Sequence, residues 1–302
     1  MTDQLPPSYE TLNLPGLLLS HHPPSSSSPT PIVIVKIHRP EARNAFTDAL
    51  AASLIRAFDL LSADPRVRCV ILTSSDSTNA FFCAGMDFGA QHAMGPTAAT
   101  HRDEGGRVSL AIYRCAKPVI AAINGSAVGV GITMTLPASI RVVSRDAKIG
   151  FVFGRRGFTM EACSSFFLPR LLGTSRALHL VTTGAVYPAN HRLLDGLFSE
   201  IVAPDDVLPA ALRIAEDVVG NVSTVASTLM KDLMYRGPAS PEEAHLLESR
   251  VFFDLIQGSD AEEGKQSFLQ KRPPNFTGTM ATDAPEVYPW WPPIDVRRRE
   301  KL

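Results

Sequence analysis

Apolar positions fall in two rhythms along the chain. In the first two thirds, short β-rich apolar runs alternate with stretches of helical period; the last third keeps the helical period almost throughout. Leu17–Leu19 and Ile32–Ile37 predict two strands of a hairpin with an enlarged turn. That turn, His21–Pro31 (H-H-P-P-S-S-S-S-P-T-P), reads as a flexible low-complexity loop in which His21-His22 is solvated rather than metal-binding. Residues 1–15 are polar and proline-bearing and read as a cap or a trailing segment. Thr47 predicts an N-cap, after which Leu50, Leu54, Phe58 and Leu61 share one helical face up to Asp64-Pro65. Strands follow at Val67–Leu72 and, running into a glycine turn, within Ala80–Asp87 (A-F-F-C-A-G-M-D), with a polar turn at Thr73–Asn79 between them. His101–Cys115 predicts a helix and Val119–Ile123 a buried strand.

Beyond that strand, Ile140–Val143 and Ala147–Phe151 predict short strands, and Gly154–Glu161 (G-R-R-G-F-T-M-E) a loop. Cys163–Leu172 and Ser175–Thr183 predict helices and Leu197–Val202 a strand. Helices are then expected over 206–219, 223–235, 241–257 and 260–270, followed by a tail, Lys271–Trp291, too proline-rich for regular structure. Strands alternating with helices imply an α/β class with a mainly parallel core over 1–204. The helical region over 205–302 reads as a lid or an oligomerisation element. No internal repeat shows in the pattern.

Composition narrows the function classes. Of 302 residues, 45% are hydrophobic and 20% charged, ordinary for a globular enzyme. Lys+Arg 29 against Asp+Glu 30 leaves a formal charge of −1, so no global field points to nucleic acid or a membrane surface. Cys69, Cys83, Cys115 and Cys163 are widely spaced and form no C-x-x-C pair, which favours reduced thiols over a disulfide framework or a zinc site. No stretch is apolar enough to span a bilayer, the N-terminus lacks a signal-peptide pattern, and no arginine precedes Arg39. The terminal Glu300-Lys301-Leu302 shares only Lys-Leu with the peroxisomal Ser-Lys-Leu address, so the compartment is read as peroxisomal or cytoplasmic.

The chain's chemistry centres on Lys117–Thr135, K-P-V-I-A-A-I-N-G-S-A-V-G-V-G-I-T-M-T. A strand breaks at Asn124-Gly125 and passes through Gly129 and Gly131 into a helical stretch. Backbone N–H groups at such a junction are unpaired and sit at the positive end of the helix dipole, a setting suited to an anion or to a transition state that develops one. Glycines needed only for the turn are the plainer reading. A second glycine turn, Cys83–Asp87, also follows a strand. Two such turns at neighbouring strand ends can each supply one donor, from Met86 and Val130, to a single oxyanion.

With these pieces in view, the chain resembles the crotonase superfamily, the enoyl-CoA hydratase/isomerase family. The segments that carry the likeness are His38–Phe46 (H-R-P-E-A-R-N-A-F), Ala80–Asp87, Lys117–Gly129, and Glu161–Arg170 (E-A-C-S-S-F-F-L-P-R), in family order and covering roughly residues 30–270. The resemblance implies a spiral of ββα units with a C-terminal helical trimerisation region, a homotrimer or hexamer, an acyl-CoA substrate, and no cofactor or metal. It also implies a thioester carbonyl held between the Met86 and Val130 amides, with Ala84 and Asp87 beside the first turn and Arg43 and Lys271 as coenzyme A contacts.

The two glutamates used by hydratases of this family align with Thr133 and Phe153, and neither side chain can act as a base. Glu161 instead matches the single glutamate of Δ3,Δ2-enoyl-CoA isomerases of the peroxisomal type. The resemblance therefore implies a shift of a double bond from position 3 to position 2, with Glu161 moving a proton between C2 and C4. Hydration or another crotonase reaction on a specialised acyl-CoA, and a non-catalytic acyl-CoA-binding role, are the alternatives. Phe153, Phe158 and Met160 beside Glu161 are expected to raise its pKa by desolvation. The residue alone reads equally as a cap on the helix that follows. His101, Asp103 and Glu104 read as a solvated helix start over the acyl pocket, with Glu104 as a possible second acid. Asp87 reads as an N-cap, Arg155 and Arg156 as coenzyme A contacts or surface charges, and Phe88 and Met94 as pocket or core residues.

Overall fold

The computed structural model describes residues 5–24, 26, 28–95 and 97–296; Glu300-Lys301-Leu302 and part of the serine-rich loop lie outside these. Among the described residues, ten strands divide between two sheets. The larger has the order β1-β2-β3-β5-β7-β10, made of Leu17–His22, Ile32–Ile37, Cys69–Ser74, Val119–Ile123, Ile140–Ser144 and Glu200–Val202. Only β1 runs antiparallel to its neighbour; β2, β3, β5, β7 and β10 are parallel. The smaller sheet, β4-β6-β8-β9, comprises Phe81–Cys83, Ser126–Val128, Lys148–Gly150 and Val186–Pro188.

The chain visits the sheets in turn. β3 leads to β4 and the helix α2 (Glu104–Arg114), β5 to β6 and α3 (Val130–Thr133), and β7 to β8 and α4 (Ser164–Leu172). This strand-strand-helix repeat is a spiral. Its repeat is hidden in the sequence because the second strands are three residues long and lack a readable alternation.

Local chemistry explains the elements. Thr47 caps α1 (Asp48–Ala63) by accepting the Leu50 N–H, and the stripe Leu50, Leu54, Phe58 and Leu61 is buried against the large sheet. The strands of that sheet are apolar on both faces: α1 and α2 cover one, and α6 (Val207–Asn221) packs Ala211 and Ala215 against Ile71 and Ile120 on the other. The crossing from β5 to β6 explains Asn124-Gly125. Asn124 accepts from the Ser74 hydroxyl and donates to the Asn79 side chain, and a Cβ at Gly125 would meet the backbone of Ala80 and Phe81 at 2.6–2.7 Å.

Some expectations are corrected. His21 belongs to β1 and is buried, accepting the Tyr9 N–H on Nε2, while His22 pairs with Glu216 at 2.8 Å; neither is a solvated loop histidine. The N-terminal segment is packed rather than trailing, since Tyr9 is fully buried and its hydroxyl donates to Asp64. β6 and β9 were too short to signal themselves.

The last third holds α7 (Thr224–Arg236), α8 (Pro241–Ile256) and α9 (Ser259–Gln270), and the tail folds back through Tyr288 to Asp232 and Trp290 to the Arg236 carbonyl. Its buried cluster is small, centred on Val225, Leu229 and Val251. Among the described residues, no helix is long and apolar enough to cross a membrane.

Candidate active site

The two glycine turns are brought together by absences of side chain. At Gly131 a Cβ would collide with the Cys83 carbonyl, so the first turn of α3 lies directly on the end of β4. Gly85 sits at φ +100° with its Cα facing the Val128 carbonyl, where a Cβ would stand at 3.0 Å, and Gly129 sits at φ +56°. These backbone angles and this closeness are what glycine permits.

Direction follows from the hydrogen-bond pattern. Phe46 bridges Met86 in parallel: its N–H donates to Gly85 and its carbonyl accepts from Asp87. In a parallel bridge the flanking residues take those bonds, so the Met86 N–H faces the opposite edge, the side on which β6 and α3 run. Val130 opens α3, where a first-turn N–H has no partner within the helix. Among the described residues neither the Met86 nor the Val130 N–H has an acceptor. The helix is only four residues long, so the donors themselves, rather than the dipole of a long helix, supply the positive potential.

The carboxyl wall comes from elsewhere in the chain. Glu161 lies on a bend whose next two residues, Ala162 and Cys163, have φ of +57° and +55°. Its main-chain carbonyl accepts from the Ser164 N–H and hydroxyl at the start of α4, but its side chain turns away from that helix and caps nothing. Oε1 accepts from the Thr133 hydroxyl at 3.0 Å, so a position aligned with a hydratase glutamate here orients the carboxyl. Oε2 lies over Gly105 of α2, where a Cβ would collide with it and would meet Val130 Cγ2 at 3.1 Å. Glu161 is thus seated beside the second turn. Burial first, then the charge of Asp103, raise its pKa to about 8. Phe158 is exposed and stacks on Phe88, with ring centroids 6.1 Å apart.

Asp103 and Glu104 are not simply solvated. Asp103 caps α2, accepting the Gly106 N–H at 2.5 Å and the Ala162 N–H at 3.2 Å on Oδ1, and its charge acts on the Glu161 carboxyl. Glu104 pairs with Arg107 at 2.7 Å. Gly105 is the member of the site that pattern reading missed, and Asp103 and Thr133, both noted in the sequence, take roles other than those read for them there. The adjacent glycines at 105 and 106 were the available signal, because glycine is costly inside a helix unless something must come close.

The remaining candidates divide. Ala84 donates to the Arg43 carbonyl at 3.2 Å, tying the first turn to the 43–46 segment, and the exposed Arg43 guanidinium stands 5.4 Å from the Phe81 ring. The Asp87 carboxylate is engaged by Arg39 at 3.1 Å and by the Gly89 N–H, and Arg39 holds its pKa below the usual range. Lys271 is the exposed C-cap of α9, and among the described residues no side-chain contact joins it to the crevice. Arg155 donates to the Thr183 carbonyl, and Arg156 is exposed. Met94 and Phe88 are exposed rather than core.

A two-sheet ββα spiral with two unpaired turn amides beside a half-buried carboxyl defines a class of enzyme fold suited to holding a carbonyl while a proton moves next to it. Residues 28–279 match the family model described as enoyl-CoA hydratase/isomerase, and the chain belongs to that family, within the crotonase superfamily. It is 50% identical over 260 residues to the enoyl-CoA hydratase AFT3-1 of Alternaria alternata, covering 84% of this chain and 86% of the relative. It is 31% identical over 254 residues to the mevalonyl-coenzyme A hydratase sidH of Aspergillus fumigatus, covering 83% and 93%. A crystal structure of an enoyl-CoA hydratase from Bacillus anthracis superposes with a TM-score of 0.78 at 26% identity, covering 87% of this chain and all of that one. The chain is an acyl-CoA enzyme of this family.

Proposed function

We propose that this enzyme shifts the double bond of a 3-enoyl-CoA to position 2. The observation that carries the reading is the seat of Glu161, a half-buried carboxyl against Val130, with Thr133 in place of one hydratase glutamate and Phe153 in place of the other. In this reading the thioester oxygen accepts from the Met86 and Val130 amides. Glu161 in its ionised form removes a C2 proton, and the C2–H pair forms a C1=C2 bond as the carbonyl pair moves onto the thioester oxygen. The dienolate then re-forms the carbonyl, C1=C2 shifts to C2=C3, and the C3=C4 pair takes the proton that Glu161 returns at C4. One group serves as base and acid, so a pKa near neutrality suits it. Arg43 and Lys271, the latter at the end of α9, are proposed coenzyme A contacts, and no cofactor is needed. Self-association into a trimer or hexamer is supported by the exposed apolar side chains Met230, Met234, Phe252, Phe253 and Phe268 on α7, α8 and α9.

A second reading, hydration of a 2-enoyl-CoA at the same site, is favoured by the names of the relatives and by the second carboxyl at Asp103. The test separates them. With trans-3-enoyl-CoA the absorbance of the conjugated thioester should grow, and with trans-2-enoyl-CoA it should persist. Loss of that absorbance with the second substrate, and no growth with the first at any chain length, would replace the first reading by the second.

A further inference from the structure

Asp103 sits where three elements meet. It lies at the N-terminus of α2, its Oδ1 takes the Gly106 amide of its own helix and the Ala162 amide of the Glu161 bend, and its charge acts on the Glu161 carboxyl. The bend it grips is costly, with two successive non-glycine residues at positive φ. Such a bend persists where surrounding contacts determine it. Three contacts do so here: the Ala162 amide on Asp103, the Ser164 hydroxyl on the Glu161 carbonyl, and the Thr133 hydroxyl on Glu161 Oε1.

We propose that Asp103 is the positioning residue of this site: pinned by the Gly106 and Ala162 amides, it holds the Glu161 bend against α2 and places a fixed negative charge beside the carboxyl that carries the proton. The inference rests on reading Glu161 as the proton carrier. Other ionisable groups facing Glu161 do not compete for this role. Cys83 at the end of β4 and Cys163 on the bend are both raised by burial, Cys83 to about 12, and stay neutral through the working range. The Glu104–Arg107 pair on α2 is self-compensating. The charge of Asp103 favours the protonated form of Glu161 in the resting site.

The decisive variant is Asp103→Asn. Asparagine is as good an N-cap as aspartate and keeps an oxygen for both amides, so the fold and the bend are retained while the charge is lost. Carboxyl carbon NMR of the full-length protein with labelled glutamate should show the Glu161 titration midpoint falling by about one unit or more. The acidic limb of kcat/KM should move down with it. Asp103→Ala, which also frees the Ala162 amide, should lower kcat at every pH, with KM little changed. An unchanged Glu161 midpoint in Asp103→Asn would overturn the proposal. That result is distinct from failure of the mechanism itself, which would appear as full turnover by Glu161→Gln whatever the NMR shows.

Discussion

The crevice has two walls built on opposite principles. One is backbone: the turns at Met86 and Val130, held together because Gly85, Gly129 and Gly131 lack side chains. The other is side chain: Glu161, Thr133 and Asp103, drawn from a bend, α3 and the start of α2, far apart in sequence. The backbone wall tolerates change in side-chain identity but no added bulk at its glycines. The carboxyl wall has room to flex, but its chemistry depends on particular oxygens and their charges. Substitutions should therefore fail differently on the two sides.

The largest effect is expected at Glu161. Glu161→Gln keeps the shape and the Thr133 contact and removes the base, so turnover should fall on the order of 10²–10⁴-fold with unaltered circular dichroism. Next comes Gly131→Ala, whose Cβ would run into the Cys83 carbonyl. That atom is backbone and cannot swing aside, so the turns must part. A loss on the order of 10²-fold in kcat is expected, together with a lowered Tm. Gly105→Ala strikes the carboxyl wall instead, since its Cβ meets the end of the Glu161 side chain, which can move. Thermal stability should stay near the parent's while kcat drops about tenfold to a hundredfold through misplacement. A Gly105→Ala variant with unimpaired kcat would mean that the carboxyl acts from another position.

The smallest effect is on stability against pH. The folded-state pKa of Glu161 is raised to about 8, above that of an ordinary glutamate, so the native chain holds a proton that the unfolded chain has released. Its contribution is therefore complete below the ordinary glutamate range and is lost as pH rises toward about 8. The neutral Glu161→Gln variant lacks this loss. Its Tm relative to the parent should climb between pH 5 and 9, as scanning calorimetry can show.

The two walls were also unequally legible. The glycines of the backbone wall stand in two short stretches, Cys83–Asp87 and Lys117–Gly131, and each strand-to-turn passage can be recognised locally. The carboxyl wall depends on three long-range encounters. Thr133 reads as a missing glutamate until its hydroxyl is seen on Glu161, and Asp103 reads as part of a solvated helix start until it is seen to cap α2 with the bend at Ala162 beside it. Nor does local pattern reveal that the Glu161 side chain leaves the helix its main chain helps to start. The spiral's repeat was obscured by strands too short to show a period, and His21 by a loop composition that began one residue inside its strand.

The central claim is that Glu161 carries hydrogen at C2 of a thioester whose oxygen rests on the Met86 and Val130 amides. Its most direct test is deuterium wash-in at C2 of a saturated acyl-CoA in heavy water, read by mass spectrometry for the parent and for Glu161→Gln. The account predicts ready exchange with the parent and exchange at the uncatalysed rate with the variant. Undiminished exchange by a folded Glu161→Gln protein would contradict it.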